Sequence, residues 1–143
     1  AETRRHYAAN ITAIDEKVGQ ILAALEKRGE LDNTLLVLTS DHGDALFDSG
    51  LIYKWNPTDG SVRVPLIVRY PAAFKQGAVS PRMTSLLDVV PPLFEQAGLP
   101  VPPDRQWRSI TPVLEGREEK NPPGYAYCVH GADQFNPSTW IMV

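Results

Sequence analysis

The beginning of the chain has the apolar periodicity of an amphipathic helix. Its apolar side chains recur at spacings of three and four residues with charged side chains between them, which places them on one helix face. They are Tyr7, Ile11, Ile14, Val18, Ile21, Leu22 and Leu25. Gly29 suits the position just past a helix end, and Lys27 and Arg28 suit the last turn, where cations face the negative end of the helix dipole. The pattern therefore predicts a helix that ends just before Gly29.

Two short apolar segments further along predict strands. Residues 34–39 are almost wholly apolar, which is typical of a strand buried on both faces of a parallel sheet. Residues 65–69 form a second such segment, closed by Pro71. A helix followed by a strand of this kind indicates an α/β layer architecture. Residues 40–64 between the strands show little periodicity, and a loop of that length in a compact domain is usually functional or disordered.

A second helix is predicted from about Asp88 to Gly98. Pro91 and Pro92 then fall in its first turn, where their missing N–H groups are tolerated. We expect this helix to bury the apolar side chains Val89, Leu93, Phe94 and Ala97. A proline-rich stretch follows, and residues 125–129 predict a further strand.

Composition limits the class of protein. The chain has 143 residues, 43% of them hydrophobic and 22% charged, which is enough for one modest core. Its formal net charge is −3 with both signs interspersed, so we expect no nucleic-acid partner. The longest apolar runs fall well short of the roughly 20 residues that a membrane helix needs, so we expect no membrane partner. The single Cys128 excludes an internal disulfide and a multi-cysteine metal site.

Candidate chemistry follows the first predicted strand directly, as Asp41, His42 and Gly43. Ligands of open α/β sheets bind outside the carboxyl ends of the strands. A carboxylate oxygen and a neutral imidazole suit a metal ion, and we interpret Gly43 as the residue that lets the backbone turn sharply. Because Asp and Gly are also common turn residues, the triplet alone leaves a purely structural interpretation open.

The wider pattern resembles the second half of the core of sulfatases, which belong to the alkaline phosphatase superfamily. The resemblance covers roughly residues 7 to 116. It is carried by segment 39–43 with Asp41 and His42, by Lys54, and by the run Gly60-Ser61-Val62-Arg63-Val64-Pro65-Leu66-Ile67-Val68. Further matching segments, in the same order along the chain, are residues 14–19, 31–34, 85–91, 97–100 and 109–116. The loop departs from many relatives at Ser49-Gly50-Leu51 and Asp59-Gly60.

The resemblance implies a fold and roles for three residues. The fold is α/β, part of an alkaline-phosphatase-like sandwich with a mostly parallel sheet flanked by helices and truncated at both ends. Asp41 and His42 fall where sulfatases place two ligands of one divalent metal ion, Ca²⁺ first, with Mn²⁺ or Mg²⁺ as alternatives. Lys54 falls where they place a catalytic, sulfate-binding lysine. The implied partner is a small-molecule sulfate ester.

The sequence lacks the other half of a sulfatase site. Sulfatases make a formylglycine nucleophile from the Cys of a Cys-x-Pro-x-Arg motif, and Cys128-Val129-His130-Gly131-Ala132 does not match it. We therefore expect residues 1–143 to be a partial catalytic domain, inactive alone, whose partner is the missing N-terminal half of the same protein. His42 is similar to choline-sulfatase-like, iduronate-sulfatase-like and phosphonate monoester hydrolase members. Phosphonate monoester or phosphodiester hydrolysis, or a non-catalytic remnant of the fold, thus remain alternatives.

Overall fold

The computed structural model of the chain describes residues 2–54, 56–126, 128–130 and 140–142. Helices and strands alternate along most of it, as the α/β prediction requires. The helices are α1 (Glu2–Lys27), α2 (Asp59–Val62), α3 (Val90–Gln96) and α4 (Thr111–Leu114). The strands are β1 (Leu36–Thr39), β2 (Leu66–Arg69), β3 (Cys128–His130) and β4 (Trp140–Met142). None of the described helices has the length and apolar composition that a membrane crossing requires.

Helix α1 ends where the sequence predicted. Gly29 adopts a left-handed conformation with φ +67°, and its N–H donates to the carbonyl of Glu26 at 2.9 Å. The N–H of Glu30 donates to the carbonyl of Leu25 at 2.9 Å, which completes a Schellman motif and satisfies the last carbonyls of the helix. No residue of α1 is buried, so its apolar face remains open within the described part of the chain.

Strands β1 and β2 pair with each other and frame the long loop. They run antiparallel, with Leu36 opposite Arg69 and Thr39 opposite Leu66. The sequence predicted that the first strand would be buried on both faces of a parallel sheet. Leu36 and Val37 are instead half-buried and Leu38 is exposed, because only one edge of β1 is paired among the described residues and no described layer covers both its faces.

The second predicted helix begins with a 3₁₀ turn, Leu86–Val89, before α3. The Ser85 side chain accepts the N–H of Leu87, and the Asp88 carboxylate accepts the N–H of Ser85, which forms a capping box. Pro91 and Pro92 lie in the first turn of α3, as predicted, and are fully buried. Val89 is also buried. The prediction was wrong for Leu93 and Ala97, which are exposed, and Phe94 is only half-buried. Burial follows the two prolines and the turn before them, so the other side of α3 faces outward.

A buried group of charged side chains joins the 3₁₀ turn before α3 to later segments of the chain. The Arg82 side chain is 3% exposed; it donates to Glu119 at 2.6 Å and contacts Asp88 at 3.3 Å. The Asp88 carboxylate also accepts the N–H of Arg108 at 2.7 Å. Because removing one partner of such a group leaves a buried charge uncompensated, the cluster holds these segments together.

The final strands form a second antiparallel ladder. Cys128 lies opposite Met142 and His130 opposite Trp140. The predicted strand at 125–129 is therefore found a few residues later, as β3. Cys128 is a free, half-buried thiol.

Candidate metal and anion site

The loop that follows β1 begins with a hydrogen-bonded turn that fixes Asp41 and His42. The Ser40 hydroxyl donates to the carbonyl of His42 at 2.7 Å, and the N–H of His42 donates to Oδ1 of Asp41 at 2.9 Å. This backbone hydrogen bond lowers the pKa of the Asp41 carboxyl below its usual value, with further contributions in the same direction from His42 and Lys54. Asp41 is therefore an anionic acceptor at neutral pH.

The imidazole of His42 is held in one orientation. Its Nδ1 lies 2.8 Å from the carbonyl oxygen of Gly43. Because a carbonyl can only accept, Nδ1 carries the hydrogen in the neutral ring and Nε2 keeps its lone pair. A metal-binding histidine usually donates its second ring nitrogen to an acceptor in this way, which fixes the tautomer.

The three residues predicted from the sequence meet at Nε2 of His42. The Nζ of Lys54 lies 2.9 Å from this atom, and Oδ2 of Asp41 lies 3.3 Å from it. The loop returns after twelve residues to bring Lys54 opposite a histidine that follows β1. A carboxylate, an imidazole lone pair and an ammonium thus converge at one point of the surface.

The arrangement of acceptors fits a cation. Oδ2 of Asp41 and the unprotonated Nε2 of His42 are both acceptors, so neither can satisfy the other at 3.3 Å. Metal–ligand distances are about 2.0–2.6 Å, so two ligand atoms at right angles around one ion are roughly 3–3.7 Å apart. The described residues contain no group of three or more His, Cys, Asp or Glu side chains that could hold a metal ion.

A close backbone contact sits at the base of the loop. The N–H of Gly43 donates to the carbonyl of Ser61 at 2.8 Å, and a Cβ on Gly43 would lie 2.0 Å from the carbonyl oxygen of Gly60. Gly43 is absent from the residues with positive φ. Glycine is therefore required at Gly43 because another backbone approaches it, and a left-handed conformation is not the reason.

Gly43→Ala tests this contact. Since the clashing atom belongs to the backbone, the loop must shift, and we expect a loss of about 1–3 kcal/mol in the free energy of unfolding. Gly19→Ala is the matched control, because nothing lies within 4 Å of its added Cβ in the middle of α1 and alanine should stabilise the helix by about 0.5–1 kcal/mol. Chemical denaturation measures both variants. Equal stability of wild type and Gly43→Ala would show that the two segments do not touch.

The middle of the loop is held in an unusual conformation that the sequence did not reveal. Four non-glycine residues have positive φ: Leu46, Phe47, Ser49 and Tyr53. The carboxylate of Asp44 spans the loop, because its Oδ1 accepts the N–H of Leu46 at 2.8 Å and the N–H of Tyr53 at 3.2 Å. The only sequence signal was an Asp in a turn-rich segment, which is too common to single out Asp44.

Asn56 organises the return of the loop. Its side chain donates to the carbonyl of Tyr53 at 3.3 Å and accepts from the hydroxyl of Ser61 at 3.0 Å. Asn56 and Ser61 are 6% and 2% exposed. The two positions where the loop departs from many relatives are exposed: Ser49 lies in a 3₁₀ turn and Asp59 begins α2. The departures therefore leave these buried contacts in place.

Comparisons with known proteins identify the family of the chain. The Sulfatase family model matches residues 1–99. An N-acetylglucosamine-6-O-sulfatase of Bacteroides thetaiotaomicron is 44% identical over 82% of this chain and 21% of its own length. A choline-sulfatase of Rhizobium meliloti is 41% identical over 84% of this chain and 24% of its own.

Solved structures extend the comparison to the fold. The phosphonate monoester hydrolase SpPMH from Silicibacter pomeroyi matches with a TM-score of 0.80 and 29% identity, over 87% of this chain and 25% of that protein. The alkaline-phosphatase-like α/β fold predicted from the sequence is thereby confirmed. The chain spans about a quarter or less of the length of these relatives. On the family match and the identities together, the chain belongs to the sulfatase family.

Proposed function

We propose that residues 1–143 are a part of a sulfatase catalytic domain that supplies Asp41, His42 and Lys54 to a metal-dependent active site. The observation that carries this proposal is the convergence of Asp41 Oδ2 and Lys54 Nζ on Nε2 of His42, at 3.3 and 2.9 Å. The resemblance that names the same three residues supports it independently. The nucleophile, a formylglycine, and the remaining metal ligands belong to the part of the enzyme outside this chain.

The three side chains have distinct tasks. Asp41 and His42 are the ligands of one divalent cation, Ca²⁺ first and Mn²⁺ or Mg²⁺ as alternatives; when bound, the ion neutralises negative charge that develops on the ester oxygens. Lys54 binds the anionic group of the substrate. The Nε2 lone pair that Lys54 meets here is the one that would hold a cation, and the Lys54 ammonium would donate to substrate oxygens.

The electrostatic environment suits this division of labour. The pKa of Asp41 is lowered, chiefly by the backbone N–H of His42, so the carboxylate stays ionised as a hard oxygen ligand. A fixed ammonium beside the reacting group stabilises the transition state without rearranging solvent. These groups therefore assist the departure of an alcohol from a sulfate ester, while the bond-forming step requires the nucleophile.

We propose a sulfate ester of a small organic alcohol as the substrate, with a sulfated amino sugar as the first candidate. The support is the sequence identity to the N-acetylglucosamine-6-O-sulfatase. The alternative is a phosphonate monoester or phosphodiester, which is favoured by the structural similarity to SpPMH. A non-catalytic remnant of the fold is the third possibility, and the integrity of the three-residue site argues against it.

A substrate panel tests the proposal on the sulfatase-length protein that contains this chain. We expect hydrolysis of an aryl sulfate and of N-acetylglucosamine 6-sulfate, loss of that activity on chelation, and its return when a divalent metal is added back. Residues 1–143 purified alone serve as the control and should show no turnover, since positioning an anion does not replace a nucleophile. Faster cleavage of a phosphonate monoester would favour the alternative, and no hydrolysis of any ester would favour the remnant.

A further inference from the structure

Lys54 owes its place to the residue before it. Tyr53 has φ +59°, a left-handed conformation that a bulky non-glycine residue adopts rarely. In an extended conformation at Tyr53 the chain would leave in another direction, and Lys54 would not face His42. The surroundings of Tyr53 must therefore hold this conformation, and a sterically disfavoured backbone near a functional group is a reason to look for what holds it.

Both backbone polar groups of Tyr53 are bonded. Its N–H donates to Oδ1 of Asp44 at 3.2 Å. Its carbonyl oxygen accepts the N–H of Ala45 at 3.0 Å, the hydroxyl of Ser61 at 3.2 Å and the side-chain amide of Asn56 at 3.3 Å. Ala45 is completely buried, so the N–H group that binds the Tyr53 carbonyl belongs to a residue fixed by packing.

Asp44 connects this restraint to the metal side of the site. It follows Gly43, whose carbonyl orients the His42 ring and whose N–H bonds Ser61. The same Oδ1 that receives Tyr53 also receives the N–H of Leu46 at 2.8 Å, so the Asp44 carboxylate is fixed from both sides of the loop. One side chain thereby relates the segment carrying His42 to the segment carrying Lys54.

We propose that Asp44 is a positioning residue for Lys54. It locks Tyr53 in the left-handed conformation through hydrogen-bond acceptance, and so sets the approach of the Lys54 ammonium to Nε2 of His42 and to the substrate anion. Asn56 and Ser61 bind the carbonyl group of the same residue. The inference rests on the role proposed above for Lys54.

The test uses two substitutions of Asp44 in the sulfatase-length protein. Asp44→Ala removes the acceptor and should lower kcat/KM at least about tenfold, because a small displacement of a positioned charge is costly to the transition state. Asp44→Asn keeps an acceptor oxygen for both N–H groups and should stay within about twofold of wild type. Metal content should be normal in both. Asp48→Ala is the matched control in the same loop, since among the described residues its carboxylate bonds Arg4, on the surface.

Two further readouts separate positioning from general damage. Hydrogen exchange at the Tyr53 amide should be faster in Asp44→Ala and unchanged in Asp48→Ala. In a Lys54→Ala background, Asp44→Ala should have little additional effect, because residues that act through one another are not additive. Multiplying effects in the double variant would overturn the proposal, as would equal losses in the Asn and Ala variants or a loss of metal from Asp44→Ala.

The outcomes also distinguish this inference from the function on which it rests. If Lys54→Ala loses activity while Asp44→Ala retains it, only the positioning role fails. If Lys54→Ala retains wild-type kcat/KM, the role of Lys54 itself fails, and the inference about Asp44 fails with it.

Discussion

Lys54→Ala is expected to lower kcat/KM by about a hundredfold or more in the sulfatase-length protein, a loss of about 2.7 kcal/mol in transition-state stabilisation. An ammonium aimed at the substrate anion contributes most as charge builds in the transition state, so the effect should appear in kinetics rather than in stability. Lys54 is exposed, and among the described residues its Nζ bonds to His42, so folding and metal content should change little. Steady-state kinetics, thermal unfolding and metal analysis measure the three quantities.

Two comparisons sharpen this result. Lys120→Ala removes another exposed lysine and should have no kinetic effect, since such substitutions usually alter stability by less than about 0.5 kcal/mol. Lys54→Arg should rescue only part of the activity, because a planar guanidinium on a longer stem does not take the place of a compact ammonium. Wild-type kcat/KM in Lys54→Ala would make Lys54 an ordinary surface charge.

His42→Ala should weaken metal binding and activity together. In the neutral imidazole Nε2 keeps its lone pair, because Nδ1 is bonded to the carbonyl of Gly43, and alanine removes this proposed ligand outright. Changing only the partner of a metal-binding histidine costs about 10–100-fold in affinity, so loss of the ligand itself should cost at least about a hundredfold. Calorimetric titration with Ca²⁺ and Mn²⁺ measures the metal affinity, and kcat/KM at saturating metal measures the activity that the variant retains.

His6→Ala is the control for the histidine experiment. His6 lies on the exposed surface of α1 and its nearest acid is Glu2, at 3.7 Å. Its removal should leave metal affinity and turnover unchanged. If His42→Ala binds metal as tightly as the wild type does, His42 is not a ligand, and its contact with Lys54 must serve another purpose.

The sequence predicted those features that depend on local chemistry. The end of α1 follows from Gly29, which alone among nearby residues adopts φ +67° without cost. The first strand follows from an apolar run, and the start of α3 follows from two prolines that suit a first helical turn. Asp41, His42 and Lys54 were proposed through the resemblance, because residue types and spacing alone favoured a turn.

Other features depend on contacts between distant residues and could not be predicted in the same way. An apolar run does not state which strand pairs with it, so the antiparallel partnership of β1 with β2 was missed. Asp44 was missed because an aspartate that only forms a turn and one that also binds a more distant backbone N–H group have the same local sequence. The close backbone contact at Gly43 was also missed, since the carbonyl of Gly60 that approaches it lies many residues further along the chain.

The contact between Gly43 and Ser61 gives the loop a narrow neck. The chain leaves and returns through two segments joined by a 2.8 Å hydrogen bond, so its ends stay together whatever lies between them. Lengthening such a closed excursion costs little entropy, about 0.6 kcal/mol for each doubling. Residues 47–52 lie between Leu46 and Tyr53, the two residues whose N–H groups Asp44 accepts. They can therefore be exchanged or extended while Asp41 and His42 keep their positions. Insertions or exchanges in this segment would therefore leave the two proposed metal ligands in place.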